Sequence, residues 1–260
     1  MPDGQAAWLS TSDQAQGKQP SSARLDRRAA YVFLFLLCLI MVEVACRGLL
    51  FDLDGVLVDS TPAVTRVWSR WALEHGFDPE ETVRLAHGRP SESTIRDLLP
   101  SADAEKENQI ILRDELEDTQ GVVPLPGTRE ILGSLPENKW ALVTSCARPL
   151  AELRLKTAGL PIPRHMITCD DVTRGKPDPE PYAKGAALLG VPAQDCAVFE
   201  DAPAGIRAGK AAGAIVVAFT TTAAEPELDE AGADFVLSGF PDLSVFSDNG
   251  SGVFRLHVTA

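Results

Sequence analysis

Two aspartates one residue apart, Asp52 and Asp54, close an apolar run that begins at Gly48. Such a run is typical of a buried parallel strand, in which side chains alternate between faces, so both carboxylates would point to the same side. Adjacent carboxylates repel each other unless a cation lies between them or one is protonated. The sequence DLDG also fits a simple turn at the end of a strand, and the other motifs must decide between these interpretations.

Three further motifs carry polar residues at the end of an apolar run or in a loop. Thr144 and Ser145 follow KWALV, Lys176 lies in the loop GKPDPEPY, and Glu200 and Asp201 end the run DCAVFED. Taken singly, each has a simpler interpretation, as a helix cap or a surface lysine. Taken together with the first two aspartates they predict one site, because carboxylates suit Mg²⁺ and a lysine and a hydroxyl suit a phosphoryl group.

The elements between these motifs predict an α/β fold, a doubly wound parallel sheet with an inserted α-helical cap domain. Strands and helices alternate after residue 121, whereas residues 62–121 show only helical patterns. We assign residues 47–61 and 122–240 to the core, 62–121 to the cap, and 241–260 to a β-hairpin with an Asn-Gly turn. Ser60 is expected to cap the first cap helix, and residues 105–118 to form a solvated acidic face.

Four segments, FDLDGVLVDS, VTS, GKPDPEPY and FEDAPAGI, occur in the order of the four motifs of the haloacid dehalogenase superfamily, which they resemble. The resemblance covers about residues 48–222 and is greatest to the branch of sugar phosphatases and glycerol-3-phosphatases. It implies a Rossmann-like core with a helical cap. It also implies a Mg²⁺-dependent phosphatase that hydrolyses small sugar or polyol phosphate monoesters through an aspartyl-phosphate intermediate.

The resemblance implies a role for each motif residue. Asp52 would be the nucleophile, and Asp54 would protonate the leaving alkoxide and then activate water. Thr144, Ser145 and Lys176 would bind the phosphoryl group. The implied ligands of Mg²⁺ are Asp52, Asp54 through its backbone carbonyl, Asp201, and Glu200 through a water molecule.

The polar turn His87, Gly88 and Arg89 lies between two cap helices, at the position of the family's cap specificity loop. We expect it to bind the substrate, with Arg89 pairing to polar substrate groups. The alternative is that His87 only caps the preceding helix and Arg89 is solvated. Trp68 and Trp71 have helical spacing, which favours the core of the cap over a sugar-binding platform.

Two other functions remain open from the sequence. A β-phosphoglucomutase-like phosphotransferase shares every core motif, and Val56 is slightly more typical of the mutases than of the phosphatases. A non-catalytic, membrane-tethered binding protein would explain the apolar residues 29–42. The intact Asp52, Asp54, Lys176 and Asp201 argue against it, because a binding module needs no such set.

The formal net charge of −13 disfavours nucleic acid and anionic membranes as partners, and we expect a monomer with a small phosphorylated substrate. The five cysteines are widely spaced without a CxxC pair, which supports neither a zinc site nor a disulfide framework and indicates a reducing, cytoplasmic compartment.

Residues 1–46 are assigned to an N-terminal extension. Its apolar part, residues 29–42, is shorter than a membrane span and has the length of a signal-peptide core. Membrane tethering or export is therefore the alternative location, and our hypothesis is that translation starts at or near Met41.

Overall fold

The computed structural model describes residues 41–247 and 252–259. Most of the apolar segment 29–42, and with it the prediction of a membrane anchor or signal peptide, lies outside the described residues. Within them, no helix is long and apolar enough to cross a membrane.

The described residues form eleven strands and nine α-helices. The strands are β1 (Met41–Cys46), β2 (Gly48–Phe51), β3 (Val58–Asp59), β4 (Val123–Pro124), β5 (Trp140–Val143), β6 (Met166–Ile167), β7 (Cys196–Glu200), β8 (Ile215–Phe219), β9 (Phe235–Leu237), β10 (Leu243–Ser247) and β11 (Phe254–Thr259). The helices are α1 (Thr61–His75), α2 (Pro79–Ala86), α3 (Ser91–Leu98), α4 (Ala104–Glu117), α5 (Thr128–Ser134), α6 (Arg148–Thr157), α7 (Glu180–Leu188), α8 (Pro203–Ala211) and α9 (Glu225–Ala231).

Six parallel strands form the central sheet in the order β6-β5-β2-β7-β8-β9. The chain builds outward from β2 to one side through β5 and β6, and then to the other side through β7, β8 and β9. The direction of winding therefore reverses at β2, and open α/β sheets bind their ligands at such a switch point. The predicted doubly wound α/β sheet with a helical cap is confirmed.

Strand β2 is apolar throughout because both of its faces are covered. Leu49 and Phe51 belong to one hydrophobic cluster, in which the Phe51 ring stacks on Phe199 with centroids 4.7 Å apart. Leu50 belongs to the cluster on the opposite face, which includes Tyr182. A run of four buried residues without alternation is what such double coverage produces.

Helices α1 to α4 follow β3 and precede β4, and they enclose a separate hydrophobic cluster. Trp68 and Trp71 lie in this cluster with Ile95 and Ile111, so the prediction that both tryptophans belong to the cap core is confirmed. Strands β3 and β4 pair antiparallel, with Val58 opposite Pro124, which joins the two ends of the helical segment at its base.

A second, antiparallel sheet has the order β1-β11-β10. Residues 41–46, which the sequence assigns to an N-terminal extension, form strand β1 instead. This strand pairs with β11 from Met41 opposite Thr259 to Cys46 opposite Phe254. The pairing of β10 with β11 agrees with the predicted hairpin, whose tip lies outside the described residues.

Candidate active site

The polar motif residues directly follow three neighbouring parallel strands. Asp52 follows β2, Thr144 follows β5, and Asp201 follows β7, and β2 is hydrogen-bonded to both other strands. Because parallel strands end at the same edge of the sheet, the topology brings these side chains together. The single site predicted from the separate motifs would therefore lie at this edge of the sheet.

Lys176 reaches this edge from the loop before α7 and connects two carboxylates. Its Nζ donates to Asp52 Oδ1 at 2.5 Å and to Glu200 Oε1 at 2.6 Å, and its side chain is 1% exposed. The hydroxyl of Tyr182 donates to the same Glu200 oxygen at 2.5 Å. The other Glu200 oxygen accepts the backbone N–H groups of Asp201 and Ala202 at 3.1 and 3.3 Å.

The charge balance of this buried group is unfavourable. Burial raises the pKa of Asp52 to about 7. The attraction of Lys176 opposes this shift, and the repulsion of Glu200 adds to it. Burial, with repulsion from Glu200 and Asp52, raises the pKa of Asp201 well above its usual value. Burial opposes the charge of Lys176, but the adjacent carboxylates still raise its pKa. Three carboxylates around one ammonium group leave an excess of buried negative charge.

A divalent cation would balance this excess of buried negative charge. Oxygen atoms of Asp52, Glu200 and Asp201 lie within 4.8 Å of one another, and Asp201 Oδ1 is buried without a hydrogen-bond partner among the described residues. Asp201 Oδ2 accepts a hydrogen bond from Thr222. A set of carboxylate oxygens suits a hard cation such as Mg²⁺. Gly55 leaves space for this group, because a Cβ there would lie 2.0 Å from Asp201 Oδ2.

The side chain of Asp54 does not belong to this cluster of carboxylates. Its Oδ1 accepts from Ser60 Oγ at 2.6 Å, and its Oδ2 accepts from Arg154 Nη1 at 2.7 Å and from the Cys146 thiol at 3.2 Å. The two aspartates of the first motif therefore have separate environments, one among potential metal ligands and one among hydrogen-bond donors.

The prediction that Ser60 caps α1 is wrong. Its side chain makes no capping hydrogen bond within the described chain, because the hydroxyl donates to Asp54 instead. The Oδ1 atom of Asp59 accepts the backbone N–H of Thr61 at 3.0 Å and so takes over part of that role.

The second motif connects the core to the cap. Thr144 Oγ1 lies 3.0 Å from Cys146 Sγ and accepts the Cys146 backbone N–H at 3.2 Å. Ser145 Oγ donates at 3.2 Å to the backbone carbonyl of Gly88, in the loop between α2 and α3. The cap loop therefore lies directly over the strand ends.

His87, Gly88 and Arg89 line the same cavity of about 60 Å³ as Asp52 and Asp54. Burial lowers the pKa of His87, although Asp54 opposes the shift. The Arg89 guanidinium donates to two α3 side chains, to Ser93 Oγ at 2.9 Å and to Asp97 Oδ2 at 2.5 Å. The structure thus places the predicted cap residues at the site, with Arg89 already paired rather than solvated.

A family model of haloacid dehalogenase-like hydrolases matches residues 46–213 of the chain. The chain belongs to the haloacid dehalogenase-like hydrolases.

Several relatives of the chain are named as phosphatases. Hexitol phosphatase A of Escherichia coli is 44% identical over 77% of this chain and 94% of its own length. The 2-deoxyglucose-6-phosphate phosphatase 1 of Saccharomyces cerevisiae is 37% identical over 82% of this chain and 96% of its own. A solved hydrolase from Pseudomonas syringae is 25% identical, with a TM-score of 0.66 over 74% of this chain and 93% of that one. This haloacid dehalogenase-like hydrolase is accordingly a phosphoric monoester hydrolase.

Two charged residues of this hydrolase's site were missed in the sequence. Glu115 and Arg154 line the cavity, and Arg154 Nη2 donates to Glu115 Oε1 at 3.3 Å. The expectation that residues 105–118 form a solvated face is wrong at Glu115, which is 7% exposed. Each residue lies four positions after a buried apolar residue, Ile111 or Leu150, and so on the buried face of its helix. A charge on such a face needs a partner, and this signal could have found both.

Proposed function

We propose that the chain hydrolyses monophosphate esters of small sugars or polyols, with Mg²⁺, through an aspartyl-phosphate formed on Asp52. The observation that carries the proposal is the contact of Lys176 with Asp52 in a carboxylate cluster that leaves Asp201 Oδ1 unpaired among the described residues. The substrate class is supported by the relatives, which are named as phosphatases of a hexitol phosphate and of 2-deoxyglucose-6-phosphate.

In the first step Asp52 attacks the phosphorus atom. The bond between its carboxylate oxygen and phosphorus forms while the ester P–O bond breaks, and the leaving alkoxide takes the proton of Asp54. Lys176 holds the nucleophile through its 2.5 Å contact and opposes the negative charge of the phosphoryl group. Thr144, which follows β5, would donate to a phosphoryl oxygen.

In the second step Asp54 takes a proton from water, and the resulting nucleophile attacks the same phosphorus atom. The bond to Asp52 breaks, which releases inorganic phosphate and restores the carboxylate. The donors around Asp54, from Ser60, Arg154 and Cys146, keep its carboxyl group away from the carboxylate cluster. One aspartate can therefore handle protons while the other makes and breaks the covalent bond.

The residues that would hold Mg²⁺ are Asp52 and Asp201, with the backbone carbonyl of Asp54, and Glu200 would reach the ion through a water molecule. When bound, the ion would neutralise charge on the phosphoryl oxygens and on the surrounding carboxylates. In a loose phosphoryl-transfer transition state, such charge stabilisation and positioning account for most of the catalysis.

A phosphate-release screen tests the proposal. Wild type, Asp52→Asn and the control Asp229→Asn, an exposed aspartate on α9, are compared on sugar and polyol monophosphates with and without Mg²⁺. We expect release by wild type and the control only with Mg²⁺, and none by Asp52→Asn. Borohydride reduction during turnover should convert residue 52 to homoserine, detectable by mass spectrometry of the wild type.

Activity that persists in Asp52→Asn would contradict the assignment of the nucleophile. Isomerisation of a sugar phosphate that requires a bisphosphate activator and releases little phosphate would replace the phosphatase with the mutase.

A further inference from the structure

Glu115 of cap helix α4 and Arg154 of core helix α6 form a buried pair above Asp54. Arg154 Nη1 donates to Asp54 Oδ2 at 2.7 Å and Nη2 donates to Glu115 Oε1 at 3.3 Å, and both paired side chains are less than 10% exposed. Burial raises the pKa of the Glu115 carboxyl, and the guanidinium opposes this shift. The proposed function assigns no role in recognition to this pair.

Among the described residues, the small cavity over Asp52 and Asp54 offers no unpaired cation to a second anionic group. Of the arginines that line it, Arg154 contacts Asp54 and Glu115, and Arg89 contacts Asp97. Burial lowers the pKa of His87, which also lines it, and so disfavours its charged form. Within the described chain, every arginine of this cavity already has a carboxylate partner.

A larger cavity of about 450 Å³ adjoins the small one between cap and core, and Glu115, Ser145 and Cys146 line both. Its described lining contains one arginine, Arg96, which donates to Glu92. The carboxylates that line it are Glu92, Asp97, Glu115 and Asp170. The part of a substrate that extends beyond the phosphoester therefore meets an acidic, hydrogen-bonding surface.

We propose that Glu115 and Arg154 determine specificity by binding the hydroxyl groups of the leaving alcohol, so that the site selects monophosphates of uncharged polyhydroxy alcohols. The inference rests on the proposed function and narrows it. A carboxylate accepts from a hydroxyl O–H, and a guanidinium donates to a hydroxyl oxygen, so the pair matches a polyol chain. A second phosphate or a carboxylate on the substrate would be desolvated beside Glu115 and Asp54 without an unpaired cation, which disfavours its binding.

Three six-carbon monophosphates with alkoxide leaving groups test this inference. Glucitol 6-phosphate carries hydroxyl groups only, 6-phosphogluconate has a terminal carboxylate in place of one of them, and n-hexyl phosphate lacks them. We expect the kcat/KM of the wild type to be at least 30-fold higher for glucitol 6-phosphate than for either other ester. Glu115→Gln should lower this value about tenfold through KM, lower that for n-hexyl phosphate by a much smaller factor and raise the relative rate on 6-phosphogluconate at least tenfold.

The matched control is Glu117→Gln, which changes an exposed glutamate on the same helix and should alter none of the three rates. Glu115→Asp keeps the charge and withdraws the carboxylate. It should lower the kcat/KM for glucitol 6-phosphate while still excluding 6-phosphogluconate. This variant tests the inference if Glu115→Gln does not fold.

Equal losses of kcat on glucitol 6-phosphate and n-hexyl phosphate would overturn the inference, because Glu115 would then only position Asp54 or close the cap. Wild-type rates on 6-phosphogluconate as high as on glucitol 6-phosphate would also overturn it. A wild type that releases phosphate from no sugar or polyol ester in the broader screen contradicts the proposed function instead.

Discussion

Gly88 of the cap loop lies so close to Ala202 of the core that a side chain at residue 88 would not fit. A Cβ atom built there would lie 2.3 Å from the Cβ atom of Ala202, which directly follows Asp201. From the loop after β5, Ser145 Oγ donates to the Gly88 carbonyl at 3.2 Å. The cap therefore closes over the site through a contact that only glycine permits.

Gly88→Ala should impair closure more than folding. The added methyl group must displace the loop from Ala202, so we expect kcat/KM to fall about 100-fold, since small misplacements of a site have effects of this order. The positive φ of 71° adds roughly 1 kcal/mol of strain to the folded state. Steady-state kinetics and urea unfolding measure the two effects.

The variant Gly76→Ala distinguishes the effect of backbone strain from the effect of impaired cap closure. Gly76 ends α1 with a φ of 76°, and a Cβ there would meet no atom of the described chain within 4 Å. This variant should lose similar stability and keep wild-type kinetics. Equal kinetic losses in the two variants would mean that backbone strain, not the contact with Ala202, explains the effect.

The buried carboxylate cluster should make the stability of the metal-free protein depend on pH. Because burial raises the pKa of Asp52 to about 7, the folded state holds a proton that the unfolded chain releases near pH 4. Between these values the unfolded state binds fewer protons, so stability falls as pH rises, by at most on the order of 4 kcal/mol. Mg²⁺ should restore stability at pH 7.5 and have little effect at pH 5, where protons compete.

Asp201→Asn tests this linkage. Removing one buried charge should flatten the decrease in metal-free stability between pH 5 and 7.5, and Mg²⁺ should then raise Tm by much less than in wild type. The difference between wild type and variant is the informative quantity, because the contributions of other carboxylates cancel in it. An equal rise of Tm with Mg²⁺ in both proteins would mean that Asp201 is not a ligand.

The sequence predicted the parts of the site that follow from strand pattern and local motif. Asp52, Thr144 and Asp201 each follow a buried strand, and parallel pairing alone brings such positions to one edge. Glu115 and Arg154 were missed because their contact joins two elements whose relative placement no local pattern specifies. Their common signal, a charge on the buried face of a helix, predicts a partner but does not identify it.

Strand β1 was missed for a related reason. Its partner β11 lies more than 200 residues further along the chain, and its six residues follow an apolar segment that obscured the boundary. The hydroxyl of Ser60 was assigned to the helix that it precedes, which is the statistical preference for a serine at that position. A nearby carboxylate competed for it, and only the tertiary structure brings Asp54 within 2.6 Å.

Tyr182→Phe should disturb the position of Lys176 beside the nucleophile Asp52. The fully buried hydroxyl donates to Glu200 Oε1, the same oxygen that Lys176 contacts. Removing one donor from a buried carboxylate costs roughly 1–3 kcal/mol. We expect a loss of stability in this range and a kcat about tenfold lower, because Glu200 then draws Lys176 away from Asp52.

Urea unfolding and kinetics at saturating Mg²⁺ measure both changes. Leu188→Ala, an exposed residue of the same helix, is the control and should change stability by less than about 0.5 kcal/mol. If Tyr182→Phe has wild-type kcat and stability, the hydroxyl contact does not support Glu200.

Ser60→Ala should reduce catalysis without the usual cost of losing a helix cap. Its hydroxyl donates to Asp54 at 2.6 Å and makes no capping bond within the described residues. Losing this donor lets Asp54 rotate toward Arg154, and we expect kcat on alkyl phosphates to fall about tenfold, equivalent to 1.4 kcal/mol. The loss should be smaller on p-nitrophenyl phosphate, whose leaving group needs no proton from Asp54.

Asp78→Ala is the opposite case and serves as the control. Asp78 Oδ1 accepts the Glu81 backbone N–H at 2.8 Å and so caps α2 within the cap domain. Removing it should lower the free energy of unfolding by about 1 kcal/mol and leave kcat unchanged. If Ser60→Ala instead shows the same loss of stability with wild-type rates on both substrates, Ser60 supports the helix, and the orientation of Asp54 depends on Arg154 and Cys146 alone.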